Sequence, residues 1–377
     1  MNAMLKERSL VPTLAWVVPV AIFLLAAPHV VGPFHTLTLM YGLVFGIAVL
    51  GFNLLLGYTG LLSFGHSAYF GAGAYTVAFM VKYFKIASME LFLAGSVLIS
   101  VLISLLFGVV CVRYTRIFFG ILTLALSQVL WSLAFKFFWV TGGTDGLRVP
   151  TPSLLGISPG TDKMEFLTYQ YYYYVLAIFT ACVIVMWVIV HSPFGKALQA
   201  IRDNETRAEF VGIRIRRYRL IAFVISGVFA VCVVVMWVIV RSPFGKALQA
   251  IRDNETRAEF IGIRIRRYRL IAFVVSGAFA GLAGALWAPL NGLATPAVLV
   301  WTFSGEIVFM AVLGGFNSFI GPIVGAVAFT YLKTYAVGFT VYWQLLLGTV
   351  LVVLVLPLPK GIMGAVELLA AKLRRPR

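Results

Sequence analysis

The sequence predicts an all-α fold, a polytopic transmembrane helical bundle of about ten spans with one extra apolar helix. Three observations carry this. Of 377 residues, 61% are hydrophobic and 11% charged, whereas soluble chains carry roughly 25% charge. Apolar runs of about twenty residues, enough to cross ~30 Å of hydrocarbon at 1.5 Å per residue, recur along the chain. The ~10-residue alternating segments of a transmembrane β-barrel are absent. The same composition excludes disordered, collagen-like and disulfide-framework classes.

Hydropathy places spans at 12–31, 36–57, 64–81, 92–112, 117–138, 170–190, 220–240, 270–290, 303–315, 318–337 and 341–358. The first follows a short basic region and exceeds the 7–15 residues of a signal-peptide core, so it reads as a retained span with its N-terminus inside. Six crossings then put residues 139–169 outside and 191–219 inside. The outer loop is broken by Gly142, Gly143, Gly146, Pro150, Pro152 and Pro159. Tyr169 and Tyr171 to Tyr174 read as an interfacial belt heading the next span. The chain is expected to form one transmembrane domain over residues 1–377.

The formal net charge is +17, and its distribution decides its meaning. Seven basic residues fall in 191–219 and eight in 241–269, and most others flank apolar runs. That is the positive-inside pattern. No aromatic–basic interleaving outside the membrane accompanies it, so nucleic acid is not indicated as a partner. Cys111, Cys182 and Cys232 lie in apolar runs and read as small core hydrophobes.

The dominant internal feature is a tandem repeat: residues 181–230 and 231–280 match at 44 of 50 positions. Near-identity at this length reads as a recent duplication or an artefact of sequence assembly, which protein physics does not separate. Each copy carries SPFGKALQAIRDNETRAEF followed by a glycine and an arginine cluster. Ala197, Leu198, Ile201 and Ala208 share one face of a short helix, Gly212 breaks it, and the arginines beyond would anchor the next span at an anionic leaflet. On pattern alone this is either a docking helix or a solvated, lipid-facing loop.

No P-loop, HExxH, CxxC pair or GxSxG elbow is present, and His29, His35, His66 and His191 are scattered. No catalytic set or metal site is expected. Polar groups inside spans are then the functional candidates: Asn53, Ser63, His66, Gln128 and Glu306. Asn53 and Gln128 read equally as interhelical hydrogen-bond glue. Gly57, Gly60, Gly65, Gly71 and Gly73 fit either close helix packing or a broken helix around a small solute.

Several segments resemble one family. GFNLLLGYTGLLSFGHSAYFGAGAYTVAFM (51–80), RIFFGILTLALSQVLWSLAFKFFWVTGGTDGL (116–147), VFMAVLGGFNSFIGPIVGA (308–326) and WQLLLGTVLVVLVLPLPKGIMG (343–364) are similar to branched-chain amino-acid permeases of the LivM type. RAEFVGI and RAEFIGI resemble the cytoplasmic coupling loop of ABC importer permeases. The resemblance covers the whole chain in order, and it implies a multi-pass subunit of the bacterial inner membrane without enzymatic chemistry of its own. It also implies a second permease subunit, two cytoplasmic ATPase subunits that bind ATP and Mg, and a periplasmic binding protein. Glu209, Gly212, Glu259 and Gly262 would then serve ATPase coupling. A self-contained secondary transporter or channel is the alternative. It would need coupling-ion carboxylates within spans, for which Glu306 alone speaks.

The repeat sets two rules in conflict. The added run, residues 220–240, is long enough for one crossing and lies between loops of net charge +4 and +5. One crossing would carry residues 241–269 and the basic C-terminus outside, against the charge rule. The downstream half is therefore expected to keep its orientation, with 220–240 failing to make a clean crossing.

Overall fold

The computed structural model describes residues 10–114, 116–156, 162–192, 265–355 and 361–365. Most of the repeat, residues 220–240 and the coupling candidates Glu209, Gly212, Glu259 and Gly262 lie outside the described residues. Among those described, helices α1 (Leu10–Val30), α2 (Pro33–Thr59), α3 (His66–Phe84), α4 (Met89–Cys111) and α5 (Arg116–Lys136) run in sequence. They are followed by α6 (Tyr172–His191), α7 (Ile265–Asn291), α8 (Trp301–Gly314), α9 (Gly321–Phe339) and α10 (Trp343–Val355). Six stretches are long and apolar enough to cross a membrane: Pro33–Thr59, Met89–Cys111, Ile117–Lys136, Lys163–Val190, Arg269–Asn291 and Gly321–Phe339. The all-α polytopic bundle is thus confirmed.

Four helices at predicted spans, α1, α3, α8 and α10, are not among these six, and two of them differ in kind. α3 is not among the six, because His66, Ser67 and Lys82 dilute its hydropathy. It is an inner helix instead, with Ala68, Tyr69, Phe70, Ala74, Val77 and Ala78 fully buried among its neighbours. α8 has 14 residues, about 21 Å of rise, too short to cross ~30 Å of hydrocarbon. An irregular segment precedes it, with a 3-10 turn at Pro296–Leu299.

Glycine and serine faces set how closely the core helices approach. On α4, Ser96, Ser100 and Ser104 recur every fourth residue and are fully buried. Ser96 Oγ donates to the Gly73 carbonyl at 2.9 Å and Ser100 Oγ to the Tyr69 carbonyl at 3.2 Å. A Cβ on Gly73 would fall on the carbonyl of Gly281, and one on Gly284 on the carbonyl of Phe70. α3, α4 and α7 are therefore in near backbone contact, the small-residue packing that membrane helices use in place of a hydrophobic drive. The outer face of α4 carries only aliphatic residues, among them Leu98, Leu102 and Leu106.

Two of the tyrosines expected as an interfacial belt are buried. Tyr171 and Tyr172 are fully enclosed. Pro28 inside α1 lacks an N–H, which frees the carbonyl four residues earlier. That carbonyl, Leu24 O, accepts from Tyr172 Oη at 2.8 Å, and Leu25 O accepts from Tyr173 Oη at 2.9 Å. Tyr172 thus restores the backbone hydrogen bond that the proline removes, an obligation inside hydrocarbon.

Strand β1 (Leu147–Arg148) pairs antiparallel with β2 (Leu293–Ala294), joining the loop after α5 to the segment after α7. Tyr171 Oη donates to Leu286 O at 2.6 Å, so the head of α6 lies beside the tail of α7. Ser192 and Ile265 accordingly lie at the opposite end. The chain leaves the described bundle and returns to it at one and the same end. This is the arrangement expected if the downstream half keeps its orientation.

Candidate functional site

Two interruptions of helical structure meet inside the bundle. The first is the extended stretch 60–65 between α2 and α3. Gly60 ends α2 in the left-handed region (φ 70°), a conformation glycine adopts without a Cβ penalty. The stretch then folds back beside α5: Phe64 N donates to Thr123 Oγ1 at 3.2 Å, and a Cβ on Gly65 would lie 2.8 Å from the Thr123 carbonyl. Thr123 is seven residues into α5, about 10 Å along its axis. The second interruption is the irregular chain ahead of α8, whose Leu299 packs where Gly71 of α3 leaves room. Non-helical backbone at this depth is tolerated only when protein or water surrounds it.

The two helix starts face each other. Ser67 N, in the first turn of α3, donates to Ser304 Oγ at 2.9 Å, and Ser304 Oγ donates to Ser67 Oγ at 2.8 Å. Both serines are fully buried. One residue away, His66 Nε2 and Ser276 Oγ of α7 are 2.6 Å apart, and the ring stands edge-on to Phe52 and Tyr69. Ser63, also fully buried, accepts from Gly65 N at 3.3 Å. The result is a narrow polar seam of hydroxyls and one imidazole, walled by aromatic rings, where α2, α3, α5, α7 and α8 converge.

Of the predicted site residues, Ser63 and His66 are brought together on this seam. Asn53 is buried one helix away, its Oδ1 without a hydrogen-bond partner and close to where a Cβ on Gly57 would stand, beside the Phe316 carbonyl. Gln128 lies on α5, little more than a turn beyond Thr123, with Nε2 buried and unpartnered. Glu306 is not on the seam. It faces α9, where Lys333 Nζ donates to both carboxylate oxygens at 2.7 Å. Of the glycines singled out, Gly60 and Gly65 make the break, while Gly57, Gly71 and Gly73 permit close packing.

Four residues of this arrangement escaped sequence reasoning: Ser67, Ser276, Ser304 and Lys333. Lys333 carried a usable signal, since a carboxylate within hydrocarbon calls for a cation and Lys333 lies within the next predicted span. Ser276 carried none, because its partner His66 is 210 positions away.

The His66–Ser276 pair has the spacing of a base and a nucleophile, but no carboxylate hydrogen-bonds the ring and both residues are fully buried. Its geometry is that of interhelical glue.

Comparison with known proteins gives the family. The model of the family described as the permease component of the branched-chain amino acid transport system matches residues 36–232 and 228–356. Two relatives are the high-affinity branched-chain amino acid transport system permease proteins LivM of Salmonella typhimurium and Escherichia coli. Each is 26% identical over 347 residues, covering 87% of this chain and 68% of the relative. No solved structure matches. The chain belongs to the family of permease components of branched-chain amino acid transport systems.

Proposed function

We propose that this permease is one membrane subunit of an ATP-driven ABC importer, taking branched-chain or related amino acids from a periplasmic binding protein across the bacterial inner membrane. Two cytoplasmic ATPases and a second permease complete the assembly. The observation that carries the reading is the meeting of two helix starts, at Ser67 and Ser304, inside a chain of this family. Interrupted helices at mid-depth are where transporters place small solutes, because freed backbone N–H groups and hydroxyls replace the lost water there. The route runs past this junction, with Ser63 and His66 beside it and the free polar atoms of Asn53 and Gln128 at its margins. Glu306, held by Lys333, is left outside it.

The repeated polar loops supply the link to ATP, with Glu209 and Gly212 or Glu259 and Gly262 seated in an ATPase groove. Gly212→Pro with Gly262→Pro should leave ATP hydrolysis uncoupled from uptake. Uptake that persists with both copies changed sinks that assignment. The overall reading is tested in proteoliposomes holding this chain, its companion permease and the ATPase pair. Leucine uptake that needs both ATP and loaded binding protein supports it. Uptake driven by a proton or sodium gradient without ATP overturns it in favour of a secondary transporter. The pairing of Glu306 with Lys333 leaves that alternative without the unpaired carboxylate it relied on.

A further inference from the structure

The Lys333–Glu306 pair sits where lipid is a poor neighbour. α9 rises about 28 Å from end to end at 1.5 Å per residue, which places Lys333 about 18 Å from Gly321 and about 9 Å from Phe339. The pair therefore lies within the hydrocarbon zone. It is closed on one side by Trp343 of α10, whose ring centroid is 5.3 Å from Lys333 Nζ. It is not closed on the other, since the side chains of Lys333 and Glu306 remain 30% and 19% exposed. Charged groups at this depth face protein or water, because hydrocarbon offers no hydrogen bonds to the oxygens and N–H groups left open.

A second, independent observation falls on the same three helices. The glycines within α2, α3, α4, α5 and α7 all meet other atoms of this chain where a Cβ would stand. A Cβ on Gly305 of α8, Gly338 of α9 or Gly348 of α10 would meet nothing within 4 Å among the described residues. Glycine inside a helix costs about 1 kcal/mol relative to alanine, and among the described residues nothing uses the space these three leave. The uncovered stripe of α10 carries Gln344, Gly348 and Thr349 beside Leu345 and Val352. Set against the uniformly aliphatic outer face of α4, this is the composition of a packed helix face.

We infer that the outer face of α8, α9 and α10 around Lys333–Glu306 is the seam with the companion permease, covered there by a transmembrane helix that brings hydrogen-bonding groups to the pair. The inference rests on the two-permease importer proposed above, and it assigns which side of this chain the companion occupies. Polarity complementarity selects the occupant. An acyl chain cannot partner a half-open ion pair, whereas a second membrane protein can bring donors and acceptors to it.

Photocrosslinking in the assembled complex tests it. p-Benzoylphenylalanine is placed at Leu345 or Val352 on α10 and, as reference, at Leu102 or Leu106 on α4, and membranes are irradiated. The expected result is an adduct with the companion from the α10 positions and none from α4. Companion adducts from α4 alone, no companion adduct from either α10 position, or adducts joining two copies of this chain each overturn the inference. A complex that purifies without any companion overturns the importer reading itself, which separates the two failures. Gly348→Leu gives a second measurement, because Gly348 is exposed and a Cβ there meets nothing among the described residues. Loss of the companion from a chain that still purifies from the membrane as a single species is expected. Full retention of the companion in Gly348→Leu and Gly305→Leu alike contradicts the assignment.

Discussion

Helices α4 and α8 solve the problem of polar residues in hydrocarbon in different ways. α4 is unbroken over 23 residues, and its serines all turn inward onto α3 and α7. Its outward face is wholly aliphatic, so it separates lipid from core and serves as wall. α8 is interrupted after 14 residues and carries polar groups in two directions, Ser304 toward α3 and Glu306 toward α9. A helix that needs hydrogen bonds on both sides is placed between two polar surroundings rather than between core and lipid. In this bundle the continuous helix makes the barrier, and the interrupted one borders both the proposed route and the proposed seam.

Variants along these two helices should separate the roles. The largest effect is expected at Gly73, where α3 meets the inner face of α4 and α7. Gly73→Val drives a side chain into the Gly281 backbone and should cost on the order of 3 kcal/mol or more. Aggregation in size-exclusion chromatography would report it, and wild-type thermal stability would break the tight-packing account. Next is the outer side of α8. Glu306→Ala strands Lys333, and because the pair is partly open the cost should be about 2 kcal/mol, below that of a fully buried pair. The double variant Glu306→Gln with Lys333→Met should recover most of it. A double variant as unstable as the single one would show that the charges themselves are not the issue.

Smaller effects are expected where a single neutral hydrogen bond is lost. Tyr172→Phe leaves Leu24 O without the donor that compensates Pro28, at about 1 kcal/mol. An unchanged melting temperature would mean that another group reaches that carbonyl. The smallest effect belongs to the outer face of α4. Leu102→Ile should stay within about 0.5 kcal/mol and leave uptake intact. A marked loss of uptake would show that this face is not simply wall.

Much of this architecture is legible in the sequence because bilayer thickness dictates the length of apolar runs. Runs predicted at 36–57 and 270–290 appear as helices Pro33–Thr59 and Ile265–Asn291. Hydropathy loses the fold where protein replaces lipid as the surroundings. α3 carries a histidine and a lysine yet is buried along most of its length, because its neighbours rather than an apolar surface accommodate it. Tyr171 and Tyr172 look like interfacial residues until the carbonyl freed by Pro28 is located, and that carbonyl is 148 positions from the hydroxyl it accepts. For the candidate site, the glycines around residues 57–73 left a break and close packing equally open, and His66 and Ser63 were singled out as polar residues in an apolar run. Ser304 was passed over because a serine scarcely lowers the hydropathy of TFSGEIVFM, although its hydroxyl joins the two helix starts.

The claim on which most depends is that the route passes the Ser67–Ser304 junction while the α4 serines stay sealed. Thiol labelling compares them directly. With Cys111, Cys182 and Cys232 replaced by alanine, Ser304→Cys and Ser100→Cys are each treated with a membrane-impermeant thiosulfonate in the assembled importer, with and without ATP. The account predicts that Ser304→Cys reacts at a rate that changes between nucleotide states and is slowed by leucine-loaded binding protein, while Ser100→Cys stays unreactive throughout. A Ser304→Cys as inert as Ser100→Cys in every state would contradict it.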